Sequence, residues 1–362
     1  MLSKPVTTDD IIDDTLNAQK DENMNIFEPK FVNRELELKA LTELSKKGSP
    51  LVEFIYGPEG CGKTRLLKEF TKKFNDLVTN GVIVYVDALE ERRLEEALLL
   101  SPRIAKIKDT LETIAETTID PIGKLLAQEV LTILDKIAEK YSLRDKHVVV
   151  IVDDIVRAIG IDNLERYIKW LLENIYKVSN KYKPKSVLMI ATTSEGYSLD
   201  RVSRHRWASI SLIWNLDEKA FIELTRQLNP PNEEVVERAW RTTGGNPRTL
   251  IEIAIKYEWD IDSWLKSVME SLAPIAREIV AKDLTSKLLK IIENPDNVWH
   301  EASREMEELY RLLIDKNLLT YKWRTTIDNR RVPKDLDLGI GEYYAWQIPV
   351  HRRALEQLLR AQ

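Results

Sequence analysis

The sequence predicts an α/β protein with a parallel sheet of five strands, followed by a helical region and a helix-and-hairpin unit. Five short runs of apolar residues lie within the first 215 positions, and their unbroken apolar character is typical of parallel strands buried on both faces. Segments with apolar residues at helical spacing separate these runs, as expected for helices that cover such a sheet. The five predicted strands are residues 51–56, 82–86, 147–152, 187–191 and 209–214.

Changes of pattern divide the chain into four predicted parts. Residues 1–29 carry acidic pairs and little periodic apolar character, which is typical of a mobile arm or a peripheral helix. Residues 30–215 contain the predicted sheet, and residues 216–280 contain three helical patterns that predict a small lid. In residues 281–362, two helical patterns precede an apolar run, a polar stretch and a strand-like segment at 343–350. Helices followed by a hairpin with a long tip predict a winged helix-turn-helix.

The composition limits the class of protein. Of the 362 residues, 43% are apolar and 31% are charged, which is typical of a globular chain with more than one domain. No run approaches the roughly 18 apolar residues of a membrane span, and the N-terminus has no signal-peptide pattern, so we expect a cytoplasmic protein without membrane contact. The single cysteine, Cys61, excludes an internal disulfide, and without a Cys/His cluster structural zinc is excluded.

A glycine-rich loop follows the first predicted strand and precedes an amphipathic helix. Its sequence, G-P-E-G-C-G-K-T at 57–64, fits the P-loop pattern G-x-x-x-x-G-K-[ST]. The glycines of such a loop let backbone N–H groups turn towards phosphate oxygens, at a helix N-terminus whose dipole favours anions. Lys63 is expected to contact the β- and γ-phosphates, and Thr64 to offer its hydroxyl to Mg²⁺. The alternative, an ordinary turn, is weak in this strand–loop–helix context.

Two carboxylates follow the third predicted strand. Asp153 and Asp154 stand at the carboxyl end of the apolar run 147–152, the edge at which open α/β sheets bind ligands. Asp153 is expected to hold Mg²⁺ through water, and Asp154 to act as the base that orients or deprotonates the attacking water. The alternative is a helix N-cap, since aspartate readily caps a following helix.

Hydroxyl groups end the fourth predicted strand, at Thr192, Thr193 and Ser194. A polar side chain at this edge could sense the γ-phosphate or position water, and Thr193 is the preferred candidate, with Thr192 next. A turn capped by Ser or Thr is an equally simple explanation, because such residues are common at strand ends.

Together with two further segments, these motifs resemble the archaeal ATPase family, a STAND branch near the AAA+ proteins. The segments are F-V-N-R-E-L-E-L at 31–38 and T-T-G-G-N-P-R at 242–248, and the resemblance extends over about residues 31–258. It implies a P-loop NTPase fold that uses ATP or ADP with Mg²⁺. It also implies that the first segment packs beside the adenine, that Pro247 approaches the adenine or ribose, and that Arg248 resembles the sensor-2 arginine.

The nucleotide contacts expected from the loop and the resemblance together are Phe31, Val32, Arg34, Gly57, Pro58, Gly60, Cys61, Gly62, Lys63, Thr64, Arg65, Pro247 and Arg248. AAA+ proteins also often carry an arginine finger before the fifth strand, which reaches the γ-phosphate of a neighbouring subunit. Arg201, Arg204 and Arg206 stand there, and Arg204 is the preferred candidate. The alternative is a solvated surface cluster.

We interpret the chain as an ATPase that works as a conformational switch, in which ATP joins the core to the lid through Lys63 and Arg248. AAA+ enzymes usually have glutamate where this chain has Asp154, and the shorter carboxylate is compatible with slow hydrolysis. The expected partners are the nucleotide and either another protein or a second copy of the chain.

The alternative function is a DNA-binding AAA+ protein of initiator or mobile-element type that uses its winged helix. The net charge of −5, and 14 basic against 13 acidic residues in 281–362, give no clear basic surplus for such a module. Five basic residues do cluster in the presumed hairpin tip, which could instead be a solvated loop. They are Lys322, Arg324, Arg330, Arg331 and Lys334.

Overall fold

A computed structural model describes residues 29–107 and 122–360. Nearly all of the predicted arm lies outside these ranges. So do Leu111 and Ile114, which begin a helical pattern predicted between the second and third strands. The strands of the main sheet are β1 (Val52–Tyr56), β2 (Gly81–Asp87), β3 (Leu98–Leu100), β4 (His147–Asp153), β5 (Ser186–Thr193) and β6 (Ala208–Leu212).

The core of the protein is one six-stranded sheet with the strand order β3-β2-β4-β5-β1-β6. The five predicted strands are confirmed, and all pairings among them are parallel. The predicted number of strands is wrong by one, because β3 pairs antiparallel with β2 at the edge of the sheet. β3 has three residues, and a segment that short gives no periodic signal.

Helices cover both faces of this sheet. Those of the core are α1 (Glu35–Lys47), α2 (Lys63–Leu77), α3 (Leu94–Ala97), α4 (Ile122–Gln128), α5 (Val130–Lys140), α6 (Ile155–Ile159), α7 (Ile161–Tyr182) and α8 (Ser198–Ser203), with a 3-10 turn at Pro102–Ile107. Along β1, Phe54 belongs to the apolar cluster that includes α5 and α7, whereas Ile55 belongs to the cluster that includes α1 and α2. Successive strand residues point to opposite faces, so the sheet is buried on both sides.

Three helices lie in residues 216–256, where the lid is predicted, and we call these helices the lid. They are α9 (Glu218–Gln227), α10 (Glu233–Thr243) and α11 (Pro247–Lys256). Each begins after a capping side chain, Asp217, Asn232 or Asn246, whose oxygen accepts a hydrogen bond from a backbone N–H in the first turn. Val32, from the segment before α1, is buried in the apolar cluster of these helices. The lid therefore packs against the N-terminal segment that enters the core.

A long helix connects the lid to the C-terminal part. The remaining elements are α12 (Ile261–Ala281), α13 (Thr285–Glu293), α14 (Asn297–His300), α15 (Arg304–Asp315), β7 (Leu319–Tyr321), a 3-10 turn at Leu336–Leu338, β8 (Tyr344–Trp346) and α16 (Pro349–Arg360). Trp264 of α12 lies in the apolar cluster of the lid, whereas Leu272 and Ile279 lie in that of the C-terminal part. The predicted boundary at residue 280 thus falls at the end of a helix shared by both clusters.

The predicted C-terminal strand at 343–350 is wrong in length. β8 has three residues, and the chain then enters α16 at Pro349. Proline is well suited to the first position of a helix, since its missing N–H would have no helical partner there. β7 and β8 form a two-stranded antiparallel sheet after α13 and α15, which is the order of elements that the sequence predicts.

The long tip between β7 and β8 packs against the main sheet. The backbone N–H of Leu212, in the edge strand β6, donates to the carbonyl of Thr325 at 3.0 Å, and its carbonyl accepts from the N–H of Ile327 at 3.1 Å. Tyr56 also donates its hydroxyl hydrogen to the carbonyl of Tyr321 at 2.8 Å. The tip therefore pairs with the last residue of β6, at one end of the open edge of the sheet.

Three of the five basic residues in this tip have partners within it. Lys322 is buried and donates to the carbonyl of Val332 at 2.7 Å, and burial lowers its pKa. Arg331 lies 4.2 Å from the centre of the Trp323 ring. Arg330 forms an ion pair with Asp328. These three basic residues thus contribute contacts within the tip, and DNA binding by the C-terminal part stays a prediction.

Candidate active site

A cavity of about 550 Å³ lies at the carboxyl edge of the sheet, between the glycine loop, the segment before α1 and the lid. This volume is in the range typical of small-molecule sites. One part of its wall is apolar and the other is rich in charge. The apolar part comes from the N-terminal segment and the lid, and consists of Pro29, Phe31, Val32, Leu216, Leu224, Pro247 and Ile251.

The charged part of the wall is strongly basic. Among the described residues, eight lysines and arginines line the cavity against three acidic residues, although the chain as a whole carries a net charge of −5. Such a concentration of positive charge in a cleft attracts anions of high charge. The basic residues are Lys30, Arg34, Lys63, Arg65, Lys68, Lys72, Arg157 and Arg248, and the acidic ones are Glu59, Glu69 and Asp154.

The glycine loop wraps around the first turn of α2. Gly60 and Gly62 have φ values of +78° and +98°, in the left-handed region that favours glycine. A Cβ atom on Gly60 would lie 2.7 Å from the Cβ of Arg248, so the lid also requires glycine there. Among the described side chains none caps α2, and its first N–H groups are therefore available to an anion.

Lys63 is buried in this loop. Its ammonium group donates to the carbonyls of Gly57 at 3.0 Å and Pro58 at 3.1 Å. Gly57 and Pro58 themselves lie outside the residues that line the cavity, whereas Gly60, Cys61, Gly62, Lys63, Thr64 and Arg65 all line it. Of the predicted nucleotide contacts, the structure thus brings all but Gly57 and Pro58 to one cavity wall.

Arg34 holds the glycine loop in place. Its guanidinium donates to the carbonyl of Cys61 at 2.8 Å and to that of Trp214 at 2.7 Å, and it pairs with Glu37 at 2.7 Å. These bonds join the loop to α1 and to the segment that follows β6. Arg34 lines the cavity, but its guanidinium is hydrogen-bonded to the protein. Arg34 therefore supports ligand binding indirectly, because it fixes the position of the loop.

The two aspartates after β4 occupy different positions. Asp153 is buried behind the cavity wall, where its carboxylate accepts from the hydroxyls of Tyr85, at 2.8 Å, and Thr192. Asp154 lines the cavity itself. Its φ of 52° is in the left-handed region, which is uncommon for a residue other than glycine and is found more often at functional sites.

Burial raises the pKa of Asp154 to about 6, and the neighbouring Asp153 carboxylate adds to this effect. The ammonium group of Lys63 and the guanidinium of Arg157 act in the opposite direction. A carboxylate with a pKa near 6 is ionised at neutral pH and is a stronger base than an ordinary aspartate, which suits it to accept a proton from water.

The structure separates the two threonines that end β5. Thr192 accepts from the backbone N–H of Asp154 at 3.1 Å and donates to Asp153, so it touches both acidic residues. Thr193 is buried, and its hydroxyl accepts from the N–H of Glu195 at 2.9 Å, which is a turn cap. Thr193 lies outside the cavity lining, whereas Ser194 is part of it.

Six charged residues of the cavity wall were not predicted from the sequence, and two of them, Glu59 and Arg157, pair with each other. The carboxylate of Glu59, within the glycine loop, pairs with Arg157 at 3.1 Å and with Arg248 at 3.0 Å. Arg157 follows Asp154 by three residues on α6, and this spacing after an acidic pair could have drawn attention to it. The predicted finger residue Arg204 is exposed at the end of α8, outside the cavity lining.

The donor set of the cavity fits Mg²⁺. Thr64 offers a hydroxyl in the cavity and Asp153 a carboxylate behind its wall, and oxygen ligands of this kind are the ones that Mg²⁺ prefers. Within residues 29–107 and 122–360, no group of three or more His, Cys, Asp or Glu residues is placed to hold a metal. A magnesium ion here would therefore complete its coordination with phosphate oxygens and water.

Residues 31–253 match the family described as an ATPase domain predominantly from Archaea. The chain belongs to this family. The match extends from Phe31, at the apolar end of the cavity, through the glycine loop to the lid, and so includes all of the residues that line the cavity of this ATPase except Pro29 and Lys30. None of the helices in the described parts of the chain is long and apolar enough to cross a membrane.

Individual relatives agree with this assignment. The ATPase is 25% identical over 272 residues to an uncharacterised ATP-binding protein of Pyrococcus abyssi, which covers 73% of this chain and 81% of the relative. It is 20% identical over 346 residues to an uncharacterised ATP-binding protein of Methanocaldococcus jannaschii, covering 85% of this chain and 89% of that one. The fold is similar to that of a Walker-type ATPase of Pyrococcus abyssi, with a TM-score of 0.50 and 15% identity over 91% of this chain and 99% of the other.

Proposed function

We propose that this ATPase is a slowly hydrolysing conformational switch, in which ATP and Mg²⁺ hold the core, the lid and the C-terminal part in one arrangement. The observation that carries the proposal is the position of Glu59. Its backbone N–H donates to Gln347 of the C-terminal part at 2.9 Å, and its carbonyl accepts from Asn246 of the lid at 2.8 Å. One residue of the phosphate-binding loop thus touches both of the parts that would move.

The binding mode follows from the two ends of the cavity. The adenine would lie at the apolar end, against Phe31, Val32 and Pro247, and the phosphates at the basic end. There the N–H groups at the start of α2 and the ammonium of Lys63 would bind the phosphates. Phosphate oxygens would compete with the Gly57 and Pro58 carbonyls that Lys63 contacts in the structure.

Asp154 is the proposed base for hydrolysis. It lines the cavity, and its raised pKa suits proton transfer from water. Thr64 would hold Mg²⁺ directly and Asp153 through water, since Asp153 lies behind the wall. When bound, Mg²⁺ would neutralise charge on the β- and γ-phosphate oxygens. Slow turnover is proposed because the aspartate side chain is shorter than that of glutamate and leaves its carboxylate further from the attacking water.

A polar network supports the coupling between the three parts. Gln347 also accepts, through its backbone carbonyl, from the side-chain amide of Asn215 at 3.0 Å. The oxygen of the Asn215 side chain accepts from Asn246 at 3.0 Å. Because these groups are buried, breaking one of their hydrogen bonds leaves a polar atom without a partner. A displacement of the glycine loop would therefore move the lid and the C-terminal part with it.

The test compares small-angle scattering profiles with ADP and with a non-hydrolysable ATP analogue. We expect the two profiles of the wild type to differ, and the difference to be lost in Lys63→Ala. Lys185→Ala, an exposed residue at the opposite edge of the sheet, serves as the matched control and should behave as the wild type. Identical wild-type profiles, with both nucleotides shown by calorimetry to be bound, would contradict the switch and leave ATP binding intact.

The proposed partner is another protein or a second copy of the chain. A salt titration of DNA binding tests the alternative, because binding through phosphate contacts weakens steeply as salt rises. Arg204 keeps its proposed role only in a self-associated form, since in one subunit it lies outside the cavity lining. Measurement of the mass in solution with each nucleotide would decide between a partner protein and self-association.

A further inference from the structure

Glu59 lies between two arginines that approach the cavity from opposite sides. Arg157 comes from α6, directly after the acidic pair, and Arg248 comes from the first turn of α11 in the lid. Each donates to a different oxygen of the Glu59 carboxylate, and all three residues line the same cavity as Lys63. A single carboxylate therefore holds two guanidinium groups at the mouth of the phosphate-binding loop.

Arg157 is anchored along one edge of its guanidinium. Its Nε donates to Glu195 at 2.5 Å, and the second carboxylate oxygen of Glu195 accepts from Asn317 at 3.1 Å. The side chain of Glu195 is only 9% exposed, so this anchor is well shielded from solvent. The bond to Glu59 lies on the other edge, through Nη2, and the Glu59 side chain is 35% exposed. One edge of Arg157 is thus fixed, and the other faces an exchangeable partner.

The charges decide which partner is preferred when a nucleotide is bound. A pair between half-exposed side chains is worth little, because water screens it. A terminal phosphate carries more negative charge than a carboxylate, and its oxygens match the planar donor array of arginine. A phosphate within reach would therefore take both guanidinium groups from Glu59.

We propose that Arg157 binds the terminal phosphate of ATP within the same subunit, and that Glu59 is the carboxylate that Arg157 and Arg248 exchange for this phosphate. The inference rests on the proposed binding of ATP in this cavity. It assigns to α6 a phosphate contact that distinguishes ATP from ADP. Glu59 then competes with the terminal phosphate for the two guanidinium groups. This competition lowers the affinity for ATP and leaves the affinity for ADP nearly unchanged.

The test measures, by calorimetry, the affinities of each variant for ADP and for a non-hydrolysable ATP analogue. In Arg157→Ala we expect the preference for the analogue to fall about tenfold or more, while ADP binds within about twofold of the wild type, since charged hydrogen bonds to one phosphate are lost. Arg157→Lys keeps the charge without the planar donors and should lose part of the preference. Arg166→Ala, an exposed arginine on α7, is the matched control.

Glu59→Gln is expected to have the opposite effect, which is tighter binding of the ATP analogue. The backbone contacts of Glu59 to Asn246 and Gln347 do not involve its carboxylate, so the loop should keep its position. Removal of the competing charge should raise the affinity for the ATP analogue by about fivefold or more, with little effect on ADP. This variant remains informative even if loss of Arg157 impairs folding.

The outcomes separate the inference from the function on which it rests. If the wild type binds neither nucleotide, the proposed function fails. If the wild type binds both, and Arg157→Ala weakens them equally or lowers only the melting temperature, Arg157 is structural and the inference is overturned. An unchanged preference in Glu59→Gln would overturn the exchange of partners in the same way.

Discussion

The hydroxyl of Thr192 accepts a hydrogen bond from the backbone N–H of Asp154 at 3.1 Å and so joins the ends of two neighbouring strands. The same hydroxyl donates to Asp153. It therefore holds both acidic residues, and one of them is in the left-handed backbone conformation. This contact makes Thr192, rather than Thr193, the strand-end residue that orients the acidic pair.

The first prediction concerns this hydroxyl. Thr192→Val keeps the shape of the side chain but removes the hydrogen bonds, and we expect hydrolysis to slow by about tenfold while ADP affinity changes little. Thr193→Val is the control, because its hydroxyl caps a turn outside the cavity. Steady-state phosphate release checks both. Equal effects of the two substitutions would contradict the distinction between them.

The second prediction concerns the pH dependence of hydrolysis. A base must be ionised to accept a proton, and the pKa of Asp154 is raised to about 6. We expect kcat/KM for ATP to rise as the pH increases through 6 and to fall about tenfold for each unit below it. Asp154→Asn should lower kcat by about 100-fold or more with nucleotide binding retained. A profile that is flat between pH 5 and 7 would exclude Asp154 as the base.

The third prediction is that Asp154→Asn stabilises the fold. The pKa of Asp154 is raised on folding from its ordinary value near 4, so folding disfavours the ionised form. This cost grows as the pH rises from about 4 to 6 and is constant above that range. We expect the variant to be more stable by about 3 kcal/mol at pH 7 and nearly equal to the wild type at pH 4. Asparagine tolerates the left-handed conformation, so no backbone strain is added.

Urea denaturation at the two pH values, in the absence of nucleotide, checks this prediction. A gain in stability that is the same at both values would point to a cause other than the charge of Asp154. A variant less stable than the wild type at pH 7 would contradict the prediction.

The fourth prediction concerns Asp296, at the start of α14. Its buried carboxylate accepts from the backbone N–H groups of Glu342, Tyr343 and Tyr344, at 2.5, 2.8 and 3.0 Å, and so fixes the start of β8. Asp296→Ala leaves these donors without their partner and should lower stability by about 3 kcal/mol. Asp296→Asn keeps one acceptor oxygen and should cost less. Chemical denaturation of both variants provides the measurement.

Much of the core was predictable because its signals are local. The glycine loop, the strand before it and the helix after it lie within residues 51–77, where the spacing of glycine and apolar residues reflects backbone geometry directly. The acidic pair is predictable in the same way, because an unbroken apolar run predicts a buried strand and the pair follows its last residue. Phe31, Val32 and Pro247 were placed by family resemblance, and the structure brings them to one apolar wall.

The contacts that sequence reasoning missed join residues far apart in the chain. Leu212 bonds to Thr325, and Glu59 to Arg248, across more than a hundred residues in each case. A contact between residues so far apart leaves no periodic pattern in the sequence. The sequence does not distinguish Thr192 from Thr193 for a different reason, because two adjacent hydroxyls at a strand end look alike until the turn that follows is known.

The continuous helix from Ile261 to Ala281 has a mechanical consequence. Its 21 residues make it about 30 Å long at 1.5 Å per residue, and its two halves are embedded in different apolar clusters. A turn of the lid by about 10° would therefore swing the far end by roughly 5 Å. A displacement of a few ångströms at Lys282 is enough to break its ion pair with Glu308 of α15, whereas Glu278 lies on the same helix as the moving end and keeps its pair.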